Sequence, residues 1–283
     1  MNANRQANSD QNTLWNGTGG RAWVVNQAIL DRMFQPFEPI LRDGLPTGPG
    51  PHRVLDIGCG TGATTLAMAQ DMGSRGECVG IDISGPMLAL ARERAAQAGA
   101  AARFVEADAQ THAFAPASVD HFASRFGVMF FDDPVAAFAN LRHAARPGAT
   151  MRVIAWRGPA ENAFMTTGER AAAALLPDLP VRQPGAPGQF AFANRQRVAT
   201  ILAEAGWSGI DIRPIDIACE LAAPDLLHYI TWLGAVGQRL LTVDEATRAT
   251  VIQTVRAAFV PFVHGDTARF TAACWQIDAR AVD

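Results

Sequence analysis

VLDIGCGTG, Val54 to Gly62, runs from an apolar, strand-like segment carrying one carboxylate, Asp56, into three glycines within five positions. Glycines after a first strand and before a helix leave bare backbone that a ligand can approach, with amide groups and a helix N-terminus free to bind an anion or a polar tail. A nucleotide-like cofactor is the first expectation. Gly58, Gly60 and Ala63 also satisfy the GxGxxG/A dinucleotide fingerprint, and Asp82 lies at a suitable distance to bind a ribose, so the motif alone does not choose between cofactors.

Outward from this turn, short apolar runs alternate with helical stripes. HRVLDI is a first strand, TGATTLAMAQDMG a helix ended by Gly73, and ECVGIDI a second strand of the buried type. The next helix has Ser84 as N-cap, Pro86 in its first turn and Gly99 as its stop; AARFVEA and SVDHFASRF follow as strands three and four. Asp133 caps a further helix with Pro134 in first place and Val135, Phe138, Leu141 and Ala145 on one apolar face, until RPG stops it and TMRVIAW makes strand five. Three successive strand-helix-strand units predict an α/β fold, a mostly parallel doubly wound sheet with helices on both faces.

The second half is less regular. A helical piece around GERAAAALL leads into PDLPVRQPGAPG, half Pro and Gly, which predicts an exposed loop. A helix capped by Asn194, a strand IDIRPIDIACEL, two helices within 224–262 and a closing strand ARFTAACWQIDAR complete the chain; Thr242 with Glu245 forms a possible capping box. RDGLPTGPGP is the one linker-like join, which separates an N-terminal helical lid, residues 1–42, from a main domain at 50–283 with insertions at 158–193 and 224–264.

Composition narrows the chemistry. All 24 basic residues are arginine, so Schiff-base chemistry, lysine-held pyridoxal phosphate and a P-loop lysine are excluded. A formal charge of -3 gives no basic surface for nucleic acid. No apolar run approaches the ~18 residues of a membrane span, and the polar, Asn-rich start lacks the apolar run of a secretory signal, so a cytoplasmic chain is expected. The four cysteines are too scattered for a CxxC metal site and are read as buried, reduced thiols, with no metal expected.

VLDIGCGTG, GIDIS, VEADAQ, SRFGVMFF, NLRHAARPGATM and AACWQIDAR, in that order, resemble the class I S-adenosylmethionine-dependent methyltransferases, especially the small-molecule branch of ubiquinone and menaquinone biosynthesis. The resemblance covers most of residues 50 to 157 and the terminal strands, and implies a Rossmann-like sheet of seven strands, the last antiparallel. It implies that Asp56, Gly58 and Gly60, with Cys59 between them, meet the amino acid tail of the cofactor, whose α-ammonium gives Asp56 a cation to face. It implies that Asp82 accepts from both ribose hydroxyls, that Ile83 and Met87 pack on the adenine, that Asp108 accepts from its exocyclic amine and that the Ala109 amide donates to its ring. Taken singly, Asp82 also reads as a strand-end cap and Asp108 as a helix N-cap.

The resemblance further implies methyl transfer by in-line displacement to a small acceptor, with the protein aligning the nucleophile and excluding water. Acceptors bind at the C-terminal ends of the strands. Phe126, Met129, Phe130 and Trp156 are expected to line an aromatic or apolar acceptor pocket, with Arg125 beside the cofactor. Trp15, Asn16, Arg21 and Trp23 are expected to close over the site, Trp15 and Arg21 against the cofactor. His228 and Tyr229 are the candidate proton acceptors, with His264 behind them. The sequence offers no signal for oligomeric state, and a nicotinamide-dependent oxidoreductase or a non-catalytic cofactor-binding module stand as alternatives.

Overall fold

The computed structural model describes residues 8–282; residues 1–7 of the expected lid and Asp283 lie outside the described residues. Four helices precede the sheet: α1 (Ser9–Asn16), α2 (Thr18–Val25), α3 (Gln27–Phe34) and α4 (Glu38–Arg42). The core alternation follows as β1 (His52–Ile57), α5 (Ala63–Met72), β2 (Gly76–Asp82), α6 (Gly85–Ala98), β3 (Ala102–Glu106), β4 (Val119–Arg125), α7 (Pro134–Ala144) and β5 (Ala145–Trp156). The remainder is α8 (Ala163–Ala172), α9 (Arg195–Glu204), β6 (Ser208–Ala222), α10 (Leu226–Trp232), α11 (Gly234–Leu240), α12 (Glu245–Ala258), β7 (Val263–His264) and β8 (Thr267–Arg280).

The strand order is β3-β2-β1-β4-β5-β8-β6. β1 to β5 pair in parallel, and β8 runs antiparallel between β5 and β6, as expected of the closing strand. The two-residue β7 adds an eighth strand among the described residues. The parallel strands are buried on both faces: Val54, Leu55 and Ile57 of β1 and Phe122 and Ala123 of β4 are almost fully enclosed. Strand order reverses across the sheet between the parallel neighbours β1 and β4, the place where open α/β sheets leave a crevice for ligands.

Capping follows the expected chemistry in the first half. Ser84 Oγ accepts from the Met87 amide and Asp133 from the Ala136 amide. Three expectations are corrected. Residues 224–262 hold three helices, not two, because Leu233 is extended and Gly234 is left-handed, which breaks the run between α10 and α11. The N-cap of α12 is Asp244, whose Oδ1 accepts from Thr247 N at 2.9 Å, while Thr242 Oγ1 is taken by Arg239. α7 stops at Ala144, so Ala145, expected on its apolar face, is already extended and opens β5 together with Arg146, Pro147 and Gly148.

Gly58 and Gly127 touch. A Cβ on Gly58 would lie 2.6 Å from Gly127 Cα, and Gly58 has φ +65°. Gly99 has nearly the same φ, +60°, with nothing within 4 Å of an added Cβ. Gly99→Ala should therefore cost only the left-handed penalty, about 1–2 kcal/mol. Gly58→Ala should cost a further ~1–3 kcal/mol for overlap. Urea unfolding measures the difference, and equal losses in the two variants would contradict the packing described.

Candidate active site

The glycine turn is built from alternating left-handed residues, Gly58, Gly60 and Gly62 at φ +65°, +54° and +85°. Asp82, at the end of β2, fixes it to the next helix: Oδ2 accepts from Gly60 N at 2.8 Å and Oδ1 from Ser84 N at 2.9 Å. Burial raises the Asp82 pKa, and these backbone donors partly offset the rise. The facing turn after β4 is tied in by Ser124, whose Oγ donates to Ile57 O at 2.6 Å and accepts from Gly127 N at 3.1 Å. Phe126 between them has φ +66°, a strained conformation for a side chain of this size. It is held by stacking on Trp156, with ring centroids 4.5 Å apart, and by edge contacts with Phe34 and Phe37.

Two charged groups at this junction are poorly matched. Asp56 is buried, and one oxygen accepts from Thr65 Oγ1 at 2.6 Å while Oδ1 has no partner. Burial pushes its carboxyl up to about 7. Arg125 donates to Phe34 O at a long 3.5 Å and lies 5.6 Å from the Phe34 ring centroid. No carboxylate among the described residues pairs with it, and burial lowers its pKa.

A cavity of about 800 Å³ opens from this junction. Asp56, Gly58, Cys59 and Gly60 line it at the turn, and Asp82, Ile83, Met87, Asp108 and Ala109 continue the wall. Arg125, Phe126, Met129, Phe130, Trp156 and Trp15 also line it, as does Tyr229. Burial holds the Cys59 thiol well above its ordinary value, so it is an inert wall residue. Among the described residues no group of three or more His, Cys, Asp or Glu could hold a metal ion, and no helix is long and apolar enough to cross a membrane.

Two expected site residues lie elsewhere. Arg21 is exposed and outside the cavity, because α2 turns Gly19, Ala22 and Trp23 inward. His228 is likewise exposed, one residue out of phase with Tyr229 and Ile230, which face the cavity. His264, expected behind them, is exposed too. Tyr229 is inside: its hydroxyl donates to Met165 Sδ at 3.1 Å, and burial pushes its pKa far up, which disfavours the phenolate that accepting a proton requires. It is a hydrogen-bond donor with only a thioether to receive it.

The lid is docked. Ser84 Oγ donates to Trp15 O at 2.7 Å, Asn16 Nδ2 donates to Ile83 O, and Gly85 N donates to Asn16 Oδ1, both at 2.9 Å. Arg94 bridges the glycine turn, through Thr61 O at 2.6 Å, to Asp31 of α3 at 2.5 Å. Asn8 gives its side-chain amide to both Asp108 oxygens at 2.9 Å. Asp108 also accepts from Gln110 N, and a turn rather than a helix follows it. Sequence reading missed Asn8, which no motif marks, and Glu169, which the i, i+4 spacing from Met165 on α8 would have revealed as a cavity-facing position. Glu169 pairs with Arg182 at 2.6 Å, and burial raises its pKa against that pairing.

Residues 54–148 match the family described as "Methyltransferase domain". A demethylmenaquinone methyltransferase of Thermus thermophilus is 36% identical over 114 residues, 40% of this chain and 51% of that protein. An uncharacterized protein of Mycobacterium tuberculosis, Rv1405c, is 35% identical over 136 residues, 47% of this chain and 48% of its own. The chain thus spans about half the length of these curated relatives. The YcgJ protein of Bacillus subtilis shares the fold, with a TM-score of 0.57 at 15% identity over 88% of this chain and 99% of that one.

The matched span supplies the glycine turn, Asp82, Asp108 and Arg125, while the N-terminal helices, Trp156, Glu169 and Tyr229 come from outside it. Asp82→Ala removes the acceptor of two backbone amides across this junction, and should destabilise the protein by about 2–4 kcal/mol. Denaturant unfolding measures it; a loss under about 1 kcal/mol would mean that Asp82 does not hold the turn.

Proposed function

We propose that this chain is an S-adenosylmethionine-dependent methyltransferase acting on a small, aromatic or apolar acceptor by in-line displacement. The observation that carries the reading is the pair of unmatched charged groups, the unpartnered Asp56 Oδ1 and the unpaired Arg125, which are close enough to influence each other's ionisation. A ligand ending in both an ammonium and a carboxylate satisfies the two together. A dinucleotide diphosphate would suit Arg125 and leave Asp56 facing like charge, which counts against the oxidoreductase alternative. The match to the methyltransferase family and the Thermus thermophilus methyltransferase support methyl transfer.

The remaining wall fits the rest of that molecule. Asp82 keeps lone pairs for ribose hydroxyls beyond its two backbone contacts, Ile83 and Met87 offer an apolar face for the adenine, and Asp108 with Ala109 offers an acceptor and an amide to its edge. Asn8 already shares the Asp108 carboxylate, so it forms part of the adenine wall. When bound, the sulfonium supplies an electrophilic methyl group. The chain itself contributes alignment and dryness: Phe126, Met129, Phe130 and Trp156 exclude water, and the docked lid covers the site through Trp15. Tyr229 can pass its hydrogen bond from the Met165 thioether to an acceptor oxygen.

A pH profile of cofactor binding tests the central contact. With the ligand-free Asp56 carboxyl near 7 and a bound ammonium favouring the carboxylate, acidification must weaken binding. S-adenosylhomocysteine should bind about tenfold more weakly at pH 6 than at pH 8. Asp56→Asn should flatten the profile and lower affinity at pH 8. Calorimetric titration that finds no pH dependence in the wild type would contradict the assignment. Tyr229→Phe should lower labelled-methyl transfer to cell-extract acceptors about tenfold with S-adenosylhomocysteine affinity kept, and His228→Ala should change neither. Full activity in Tyr229→Phe would remove the hydroxyl from the site's chemistry.

A further inference from the structure

The cavity does not end at the aromatic wall. Its lining also takes in Met165, Val255 and Phe259, and a polar group of residues from α8, α11 and the loop between α8 and α9. Arg239, in the last turn of α11, belongs to that group. Its Nη1 donates to Thr242 Oγ1, its Nη2 reaches Asp178 at 3.3 Å, and its Nε is buried with no partner. The Asp178 side chain is 75% exposed, so this pair is weak and readily exchanged. Glu169, the acid in this group, is already matched by Arg182. The guanidinium edge made by Nε and Nη2 is therefore only half used. That edge is one of the forks that carboxylates pair with in two parallel hydrogen bonds.

Resting on the methyl-transfer reading, we propose that the acceptor is an aromatic or apolar acid whose carboxylate is held by Arg239, at a distance from the atom that receives the methyl group. The apolar lining of the cavity takes the body of the molecule, and the Nε and Nη2 edge takes the carboxylate in exchange for Asp178. An uncharged molecule of the same shape would fill the apolar section and leave Arg239 as it is. Recognition of charge at one end also fixes which atom lies toward the glycine turn, so Arg239 sets acceptor orientation as well as affinity.

The test uses the full chain saturated with S-adenosylhomocysteine and two probes of like shape, 2-naphthoate and 2-naphthamide, titrated calorimetrically. The wild type should bind naphthoate at least about tenfold more tightly than naphthamide. Arg239→Gln should abolish the difference, Arg239→Lys should keep part of it, and both variants should retain the wild-type affinity for S-adenosylhomocysteine, which also reports that they are folded. Equal affinity for the two probes, no binding of naphthoate, or a preference that survives in Arg239→Gln would overturn the proposal. If S-adenosylhomocysteine itself fails to bind the wild type, the cofactor reading fails first and this proposal with it.

Discussion

The backbone contact between Gly58 and Gly127 is the constraint on which the site depends. Two turns from neighbouring parallel strands meet where the strand order reverses, and they approach so closely that neither tolerates a Cβ: one on Gly127 would lie 2.4 Å from Ile57 O. Ser124 closes the same junction with two hydrogen bonds. Because the turns are locked together, the residues flanking them have little freedom. Asp56 is enclosed on one strand, Arg125 is half-buried on the other, and Phe126 is forced into a left-handed conformation that its aromatic neighbours stabilise.

Burying charge at that junction has consequences that differ between the two groups. A carboxylate removed from water can relieve its loss of hydration by taking up a proton, and burial pushes the Asp56 carboxyl in that direction, up to about 7. An arginine lacks that escape, since its guanidinium stays charged at any ordinary pH. Arg125 is thus a cation in search of an anion, with one long hydrogen bond and an aromatic face as its contacts. Together they describe a ligand of two opposite charges more narrowly than the glycine fingerprint does. The same reasoning applies at Arg239, also on the cavity wall, where an exposed aspartate is an indifferent partner.

Much of this was legible in the sequence where local rules act alone. The first five strands, the caps Ser84, Asp133 and Asn194, and the position of the glycine turn follow from apolar period and capping chemistry, which require no knowledge of distant contacts. Errors arise where angular phase or competition between neighbours decides. His228 and Tyr229 are adjacent in sequence but about 100° apart around α10, so only one can face the cavity. Arg21 fails for the same reason on α2. Thr242 has the right spacing for a capping box, but Arg239 takes its hydroxyl and Asp244 caps instead. Asn8 on Asp108 and Arg182 on Glu169 join segments 100 and 13 residues apart through stretches without periodic pattern, so no local signal foretold them.

The most direct measurement is a crystal structure of the protein with S-adenosylhomocysteine. Density should place the ligand's ammonium beside Asp56 Oδ1 and its carboxylate on Arg125, with the ribose at Asp82. A tail lying away from both groups, or a diphosphate seated on the glycine turn in protein as purified, would contradict the account.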